Sequence, residues 1–327
     1  MDSRVGGGIA AAHRKISRLG LGTVQFGFNY GINNARGQVP YDEVLRILEF
    51  GAAQGVTFLD TSRAYGASEE ALGRAMEAAK LQDTCMVCTK LDLPPGYASL
   101  DAASLRETVL DGLHRSQDAL RLDQIPAYLL HTPEYRTVQR GLVWQVLLEQ
   151  VEAGTIGLLG VSIARGPDEA LQCLADPTVR ILQIPYNILD QRWRCTGVLD
   201  ACLAQGVALV NRSTYLQGLM LMDPELAHVK VPASVPFLQQ LQDVADEASI
   251  PVKELVLRYA LSCEALSCTL IGVDSLSQFE ENIGLYHLGA LDDALVQQIE
   301  RMFADTPVEL VNPALWGLPY NAPKRMQ

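Results

Sequence analysis

Short apolar runs alternate along this chain with longer stretches in which apolar residues return every three or four positions. The runs Leu19–Thr23, Val56–Asp60, Met86–Lys90, Ala127–His131, Gly157–Ser162, Ile181–Pro185, Val207–Arg212 and Thr269–Gly272 predict strands. Between and after them, Asp42–Gln54, Ser68–Ala79, Ser104–Ser116, Thr137–Ala153, Pro167–Leu174, Trp193–Gln205, Lys253–Ser262 and Ser277–Leu285 predict helices. Leu105, Val109 and Leu113 repeat at helical spacing and would pack on a strand layer. Ser68, followed by Glu69 and Glu70, reads as an N-cap with acids in the first turn. Gly55, Gly154 and Gly206 sit where a left-handed residue would stop a helix. Phe237–Ala248 and Asp292–Ala304 look helical but do not alternate with strands, and read as additions.

A strand followed by a helix, repeated eight times, is the pattern of an α/β protein of the (β/α)8 TIM-barrel class, here with extra C-terminal helices. A doubly wound sheet alternates in the same way, but needs a glycine-rich turn leading from its first strand into a helix. Gly20, Gly22 and Gly27 are followed instead by the irregular stretch Phe28 to Pro40, which favours the barrel. Residues 1–15 are expected to be a flexible lead-in, and 16–327 one barrel domain.

Composition narrows the function more than the fold. An apolar content of 48% fills a large core, and 20% charged residues argue against disorder. A net charge of −12 without a dense run of Lys or Arg makes nucleic acid and anionic membranes poor partners. No apolar run approaches the roughly 18 residues of a membrane span, and the start lacks a secretory h-region. Seven cysteines scattered from Cys85 to Cys268 suggest no disulfide framework, so a reducing cytoplasm is the expected compartment. Cys85 and Cys88 would point to opposite faces of an extended run, which suits buried thiols better than a metal or redox pair. No metal site is expected.

In an α/β barrel the C-terminal strand ends share one mouth. Those ends carry Thr23, Asp60, Lys90, His131, Ser162, Gln183, Arg212 and the segment from Gly272. The stretch FLDTSRAYG, residues 58–66, adds Tyr65 just beyond Asp60. Taken singly, each has an ordinary structural explanation. A carboxylate, an amine and an imidazole ending three consecutive strands are harder to explain that way. A buried lysine needs a partner such as Asp60. An ammonium near a phenol favours the phenolate, which would let Tyr65 pass a proton to a carbonyl oxygen, or take one from an alcohol.

FLDTSRAYG, Lys90 and LLHTPE (129–134) resemble the aldo-keto reductases, and the likeness runs from about Arg18 to Trp316. The resemblance implies a (β/α)8 barrel that transfers hydride from a bound NAD(P)H. It implies Asp60, Tyr65, Lys90 and His131 as a catalytic four, with Tyr65 as the acid/base. Ser162 in GVSI and Gln183 match holders of the nicotinamide amide, while Ile163 stands where relatives carry Asn. Arg212 occupies the position of a ring-stacking aromatic, and Ser213, Leu216 and Gly218 would line the pyrophosphate path. Gly22 and Thr23 are further expected contacts. GVDSLSQFEEN (272–282) resembles the segment gripping the adenosine half, through Gly272, Asp274, Gln278, Glu281 and Asn282. That segment holds no Lys or Arg, and Asp274 would repel a 2′-phosphate, so NADH acceptance is expected. Tyr30, Arg63 and Trp316 are expected substrate walls. The opening LGLGTVQFGFNYGI resembles bacterial members associated with sugar or polysaccharide metabolism, suggesting a sugar-derived carbonyl or its alcohol as the small-molecule partner. A nucleotide-binding regulatory or scaffold barrel with little turnover is the alternative, and a cofactor-free lyase or isomerase a third.

Overall fold

Strands buried on both faces must sort their side chains by alternation, and β3 (Met86–Leu91) shows the rule. Met86 and Cys88 join an inner cluster, while Val87 and Leu91 pack outward under the helices. The computed structural model describes residues 16–317. The expected lead-in at 1–15 lies outside the described residues.

Eight parallel strands close into a barrel in sequence order: β1 (Leu19–Gly22), β2 (Phe58–Asp60), β3, β4 (Ile125–Leu130), β5 (Ile156–Ser162), β6 (Ile181–Pro185), β7 (Ala208–Arg212) and β8 (Cys268–Gly272). The closing β1–β8 pairing runs from Leu19 opposite Thr269 to Gly22 opposite Gly272. Helices α1 (Tyr41–Ala53), α2 (Ser68–Ala79), α3 (Ala102–Leu120), α4 (Leu142–Glu152), α5 (Pro167–Leu174), α6 (Val198–Gln205), α7 (Val252–Leu261) and α8 (Leu276–His287) follow the strands in turn. Further helices at Pro224–Lys230 and Val235–Ala248 precede α7, and Asp293–Met302 follows α8. Among the described residues, no helix is long and apolar enough to cross a membrane.

The barrel interior is filled by Phe58, Met86, Cys88, Ala127, Leu129, Leu158, Ile181, Ala208, Val210, Cys268 and Leu270. Cys85 lies in the outer cluster and Cys88 in the inner one, so the two thiols face apart. Burial pushes Cys85 up to about 11. Close approach fixes particular glycines. A Cβ on Gly160 would meet the Ile181 carbonyl oxygen, and one on Gly27 would meet that of Tyr65. Gly27 therefore seats the Tyr65 turn.

Three local expectations change. Ala67, not Ser68, caps α2. The Ser68 hydroxyl donates to the Thr23 carbonyl at 2.7 Å and meets the Thr23 and Thr61 hydroxyls, tying two strand ends together. The expected helix from Thr137 starts at Leu142, because Gln139, Arg140 and Gly141 are left-handed. The expected helix from Trp193 breaks at left-handed Gly197, leaving a short turn before α6.

Candidate active site

The alternation that fills the barrel continues upward into its last layer. The inward set that begins with Phe58, Met86, Leu158 and Ile181 arrives at Asp60, Lys90, Ser162 and Gln183. The top of the interior is thus polar, and its groups must satisfy one another. Lys90 Nζ donates to Asp60 Oδ1 at 2.7 Å and to the Thr61 carbonyl at 2.7 Å. Gln183 Nε2 donates to the same Asp60 oxygen at 2.7 Å, and Ser162 Oγ donates to Gln183 Oε1 at 3.1 Å. Burial works against the Lys90 ammonium, but Asp60 and then Tyr65 outweigh it, raising its pKa above the ordinary lysine value.

His131 follows β4 in its inward set, and its N–H extends the ladder to the Leu91 carbonyl at 3.2 Å. Its Nδ1 lies 3.2 Å from Ser62 Oγ. Tyr65 sits between these groups. Its ring stands edge-on to His131, centroids 5.9 Å apart, with Lys90 Nζ 5.1 Å from its centroid. The Tyr65 N–H donates to the Ser62 carbonyl and its carbonyl accepts from Ser68 N–H, so the ring hangs from a closed turn.

A cavity of about 690 Å³ opens over this layer, with Asp60, Tyr65 and His131 on its wall. Gly22, Thr23, Ser162, Arg212, Ser213, Gly218, Gly272, Asp274, Gln278, Glu281 and Asn282 also line it, as does Tyr30. Lys90 and Gln183 lie beneath the wall and act through Asp60 and Ser162. Leu216 does not line the cavity, since its side chain is buried in the core. Arg63 is also absent from the wall. Its guanidinium turns to Glu69 at 2.5 Å and Glu70 at 3.4 Å, because the buried Glu69 carboxylate needs a cation. Trp316 packs at the edge of the core and donates to the Leu310 carbonyl at 2.9 Å, away from the cavity wall.

The β7 side of the mouth is built differently. Ser213, Leu216 and Gln217 all have positive φ without being glycine, at 67°, 49° and 56°. Such strain persists where surrounding structure over-determines it. The first loop reaches this segment: Ile32 N–H donates to the Gln217 carbonyl at 3.2 Å, and a Cβ on Gly218 would strike Asn33. Arg212 donates to the Ile163 carbonyl at 2.8 Å, while the Ile163 side chain is buried in the core. Ile163 therefore supplies no side-chain amide to the cavity.

Beyond β8, the Asp274 N–H donates to Gln278 Oε1 at 2.9 Å, and Ser275 Oγ caps Gln278 N–H. Burial raises the Asp274 carboxyl above its ordinary value, with Gln278 working the other way. Asp274 Oδ1 and Gln25 Oε1 are buried on the cavity wall without a hydrogen-bond partner. Two residues outside the segment matter here. Lys253, from α7, lines the cavity and pairs with Glu281 at 2.5 Å. Glu43, from α1, accepts the Leu276 N–H at 2.7 Å at the start of α8. Neither was legible in the strand-end pattern, because both come from helices.

The sequence model of the aldo/keto reductase family matches residues 18–303. Protein tas of Escherichia coli (strain K12) is 24% identical over 333 residues, which cover 86% of this chain and 93% of that protein. L-galactose dehydrogenase of Arabidopsis thaliana is 24% identical over 305 residues, covering 88% and 90%. Among solved structures, an aldo-keto reductase from Bacillus halodurans in its holo form superposes with a TM-score of 0.68 at 21% identity, covering 88% of this chain and 92% of that one.

Proposed function

The chain belongs to the aldo/keto reductase family and is an NAD(P)-dependent oxidoreductase, and we propose that it interconverts an aldehyde or ketone and its alcohol with Tyr65 as the acid/base. The observation that carries this reading is the placement of Tyr65 on the cavity wall between Lys90 and His131. A nicotinamide cofactor supplies or accepts the hydride when bound.

Two features of the wall fit that cofactor. The orphaned Asp274 and Gln25 oxygens call for donors such as ribose hydroxyls. Ser213 and Gln217 hold positive φ on the cavity wall beside Gly218, where this segment would line the pyrophosphate. Ser162, held by Gln183, would bind the carboxamide, and Arg212 would lie against the nicotinamide side.

The Lys90 ammonium, kept charged by Asp60, lowers the cost of a phenolate on Tyr65. His131 adds a hydrogen-bonding group where a carbonyl oxygen would meet Tyr65, with Ser62 fixing its ring. Tyr65→Phe removes the proton and leaves the cavity otherwise intact. Turnover falls by about 10²–10⁴-fold while cofactor binding, read by tryptophan quenching, persists. Surviving turnover overturns the assignment, and unchanged low turnover in both proteins favours a regulatory nucleotide-binding barrel.

We further propose that NADH is accepted. Asp274 suits a 2′-hydroxyl and opposes a 2′-phosphate, and the Leu276 amide at the α8 start is already taken by Glu43. Lys253, the cation on this side nearest Glu281, is held by that carboxylate. A strong NADPH preference in kcat/KM contradicts this reading. Similarity to an L-galactose dehydrogenase, together with the resemblance of the opening segment, favours a sugar-derived substrate.

A further inference from the structure

Asp92 stands two residues beyond Lys90, past the end of β3, and its side chain reaches the cavity wall beside His131 and Thr132. In the closed order of strands, β3 lies across the mouth from β7. The cations that line the cavity among the described residues, Arg212 and Lys253, belong to β7 and to α7 beyond it. On the β3–β4 side of the cavity wall Asp92 presents a carboxylate, while the β7–β8 side carries Arg212 and Lys253 together with Asp274 and Glu281.

Asp92 is also held in place. The Tyr135 hydroxyl donates to its Oδ1 at 3.4 Å and accepts from Leu93 N–H at 3.3 Å. Tyr135 is fully buried and stands edge-on to Tyr97, so it supports the carboxylate from the side away from the cavity. The rings of Phe28 and Tyr30, 5.9 Å apart and perpendicular, line the same cavity. A carboxylate acceptor and aromatic faces in one cavity suit a molecule that carries both hydroxyls and C–H groups.

We propose that Asp92 is a specificity-determining residue that accepts a hydroxyl next to the reacting carbonyl, selecting neutral hydroxyaldehydes and hydroxyketones and rejecting carboxylated ones. This rests on Tyr65 marking the position of the carbonyl. A carboxylate on the substrate would face Asp92 as a like charge, whereas a vicinal hydroxyl donates to it.

The test compares D-glyceraldehyde, propionaldehyde and succinic semialdehyde as substrates of the wild type, Asp92→Asn and Asp92→Leu. The wild type favours glyceraldehyde over propionaldehyde in kcat/KM. Asp92→Leu lowers that ratio at least about tenfold, mainly through KM, the size expected for a lost hydrogen bond to a charged group. Asp92→Asn, nearly isosteric, raises the relative use of succinic semialdehyde by about tenfold or more. Thermal melting and cofactor quenching of each variant identify a merely structural effect, which would lower all three substrates together and overturn the inference. An unmoved glyceraldehyde to propionaldehyde ratio also overturns it. A wild type that turns over none of the three contradicts it as well, and only if cofactor quenching is also absent does the oxidoreductase reading beneath it fail.

Discussion

The two sides of the barrel mouth solve different problems. On the β2–β4 side, Asp60, Lys90 and His131 sit at or just past the strand ends, and hydrogen bonds at 2.7 to 3.2 Å tie them to Thr61, Gln183 and Ser62. On the β7–β8 side the wall is made of loop and helix-start residues, with left-handed Ser213 and Gln217 and orphaned Asp274 and Gln25 oxygens. A rigid, mutually satisfied set suits proton chemistry, where small displacements are costly. Strained backbone and unmatched acceptors suit a surface completed by a ligand. On the function proposed above, the first part of the site would exist before binding and the second would be finished by it.

Changes on the strand side should therefore remove chemistry, and changes on the loop side should move affinity. The largest expected effect is at Lys90. Lys90→Met leaves the buried Asp60 without its ammonium and Tyr65 without its cation, so kcat falls by about 10²–10⁴-fold. Equilibrium quenching by NADH should change far less, and a parallel loss of binding would erase the distinction. An intermediate effect is expected at Asp274. Asp274→Ser should raise the NADPH to NADH ratio of kcat/KM by about 10–100-fold, the range for removing a charged partner from a polar contact. A fixed ratio would move the cofactor choice to Lys253 or Glu43. Ser162→Ala is the smallest. It removes a single neutral contact supported by Gln183, so cofactor Kd should rise about 3–10-fold with kcat nearly retained.

The same division explains what could be read from the sequence. Asp60, Lys90, His131 and Ser162 were legible because strand ends are marked by apolar runs and the barrel rule sends those ends to one mouth. Arg63 turns from the cavity because Glu69, an acid in the first turn of α2, is buried there and takes the guanidinium. Burial raises the Glu69 carboxyl above its ordinary value, against the pull of Thr89 and Arg63. Leu216 was read from its place in the chain, but its side chain joins the core. Trp316 is used by the core edge and the Leu310 carbonyl. Lys253 and Glu43 leave no signal in the strand-end pattern, because each reaches the β8 side from a helix distant in sequence. Asp92 carries no such signal either, as it lies one residue past the end of β3.

The most direct test of the account is Tyr65→Phe, measured for turnover of a carbonyl substrate and, on the same sample, for tryptophan quenching by NADH and NADPH. The account predicts turnover reduced by about 10²–10⁴-fold with quenching preserved. Turnover near the wild-type level would contradict it, because the proton would then come from a group other than Tyr65.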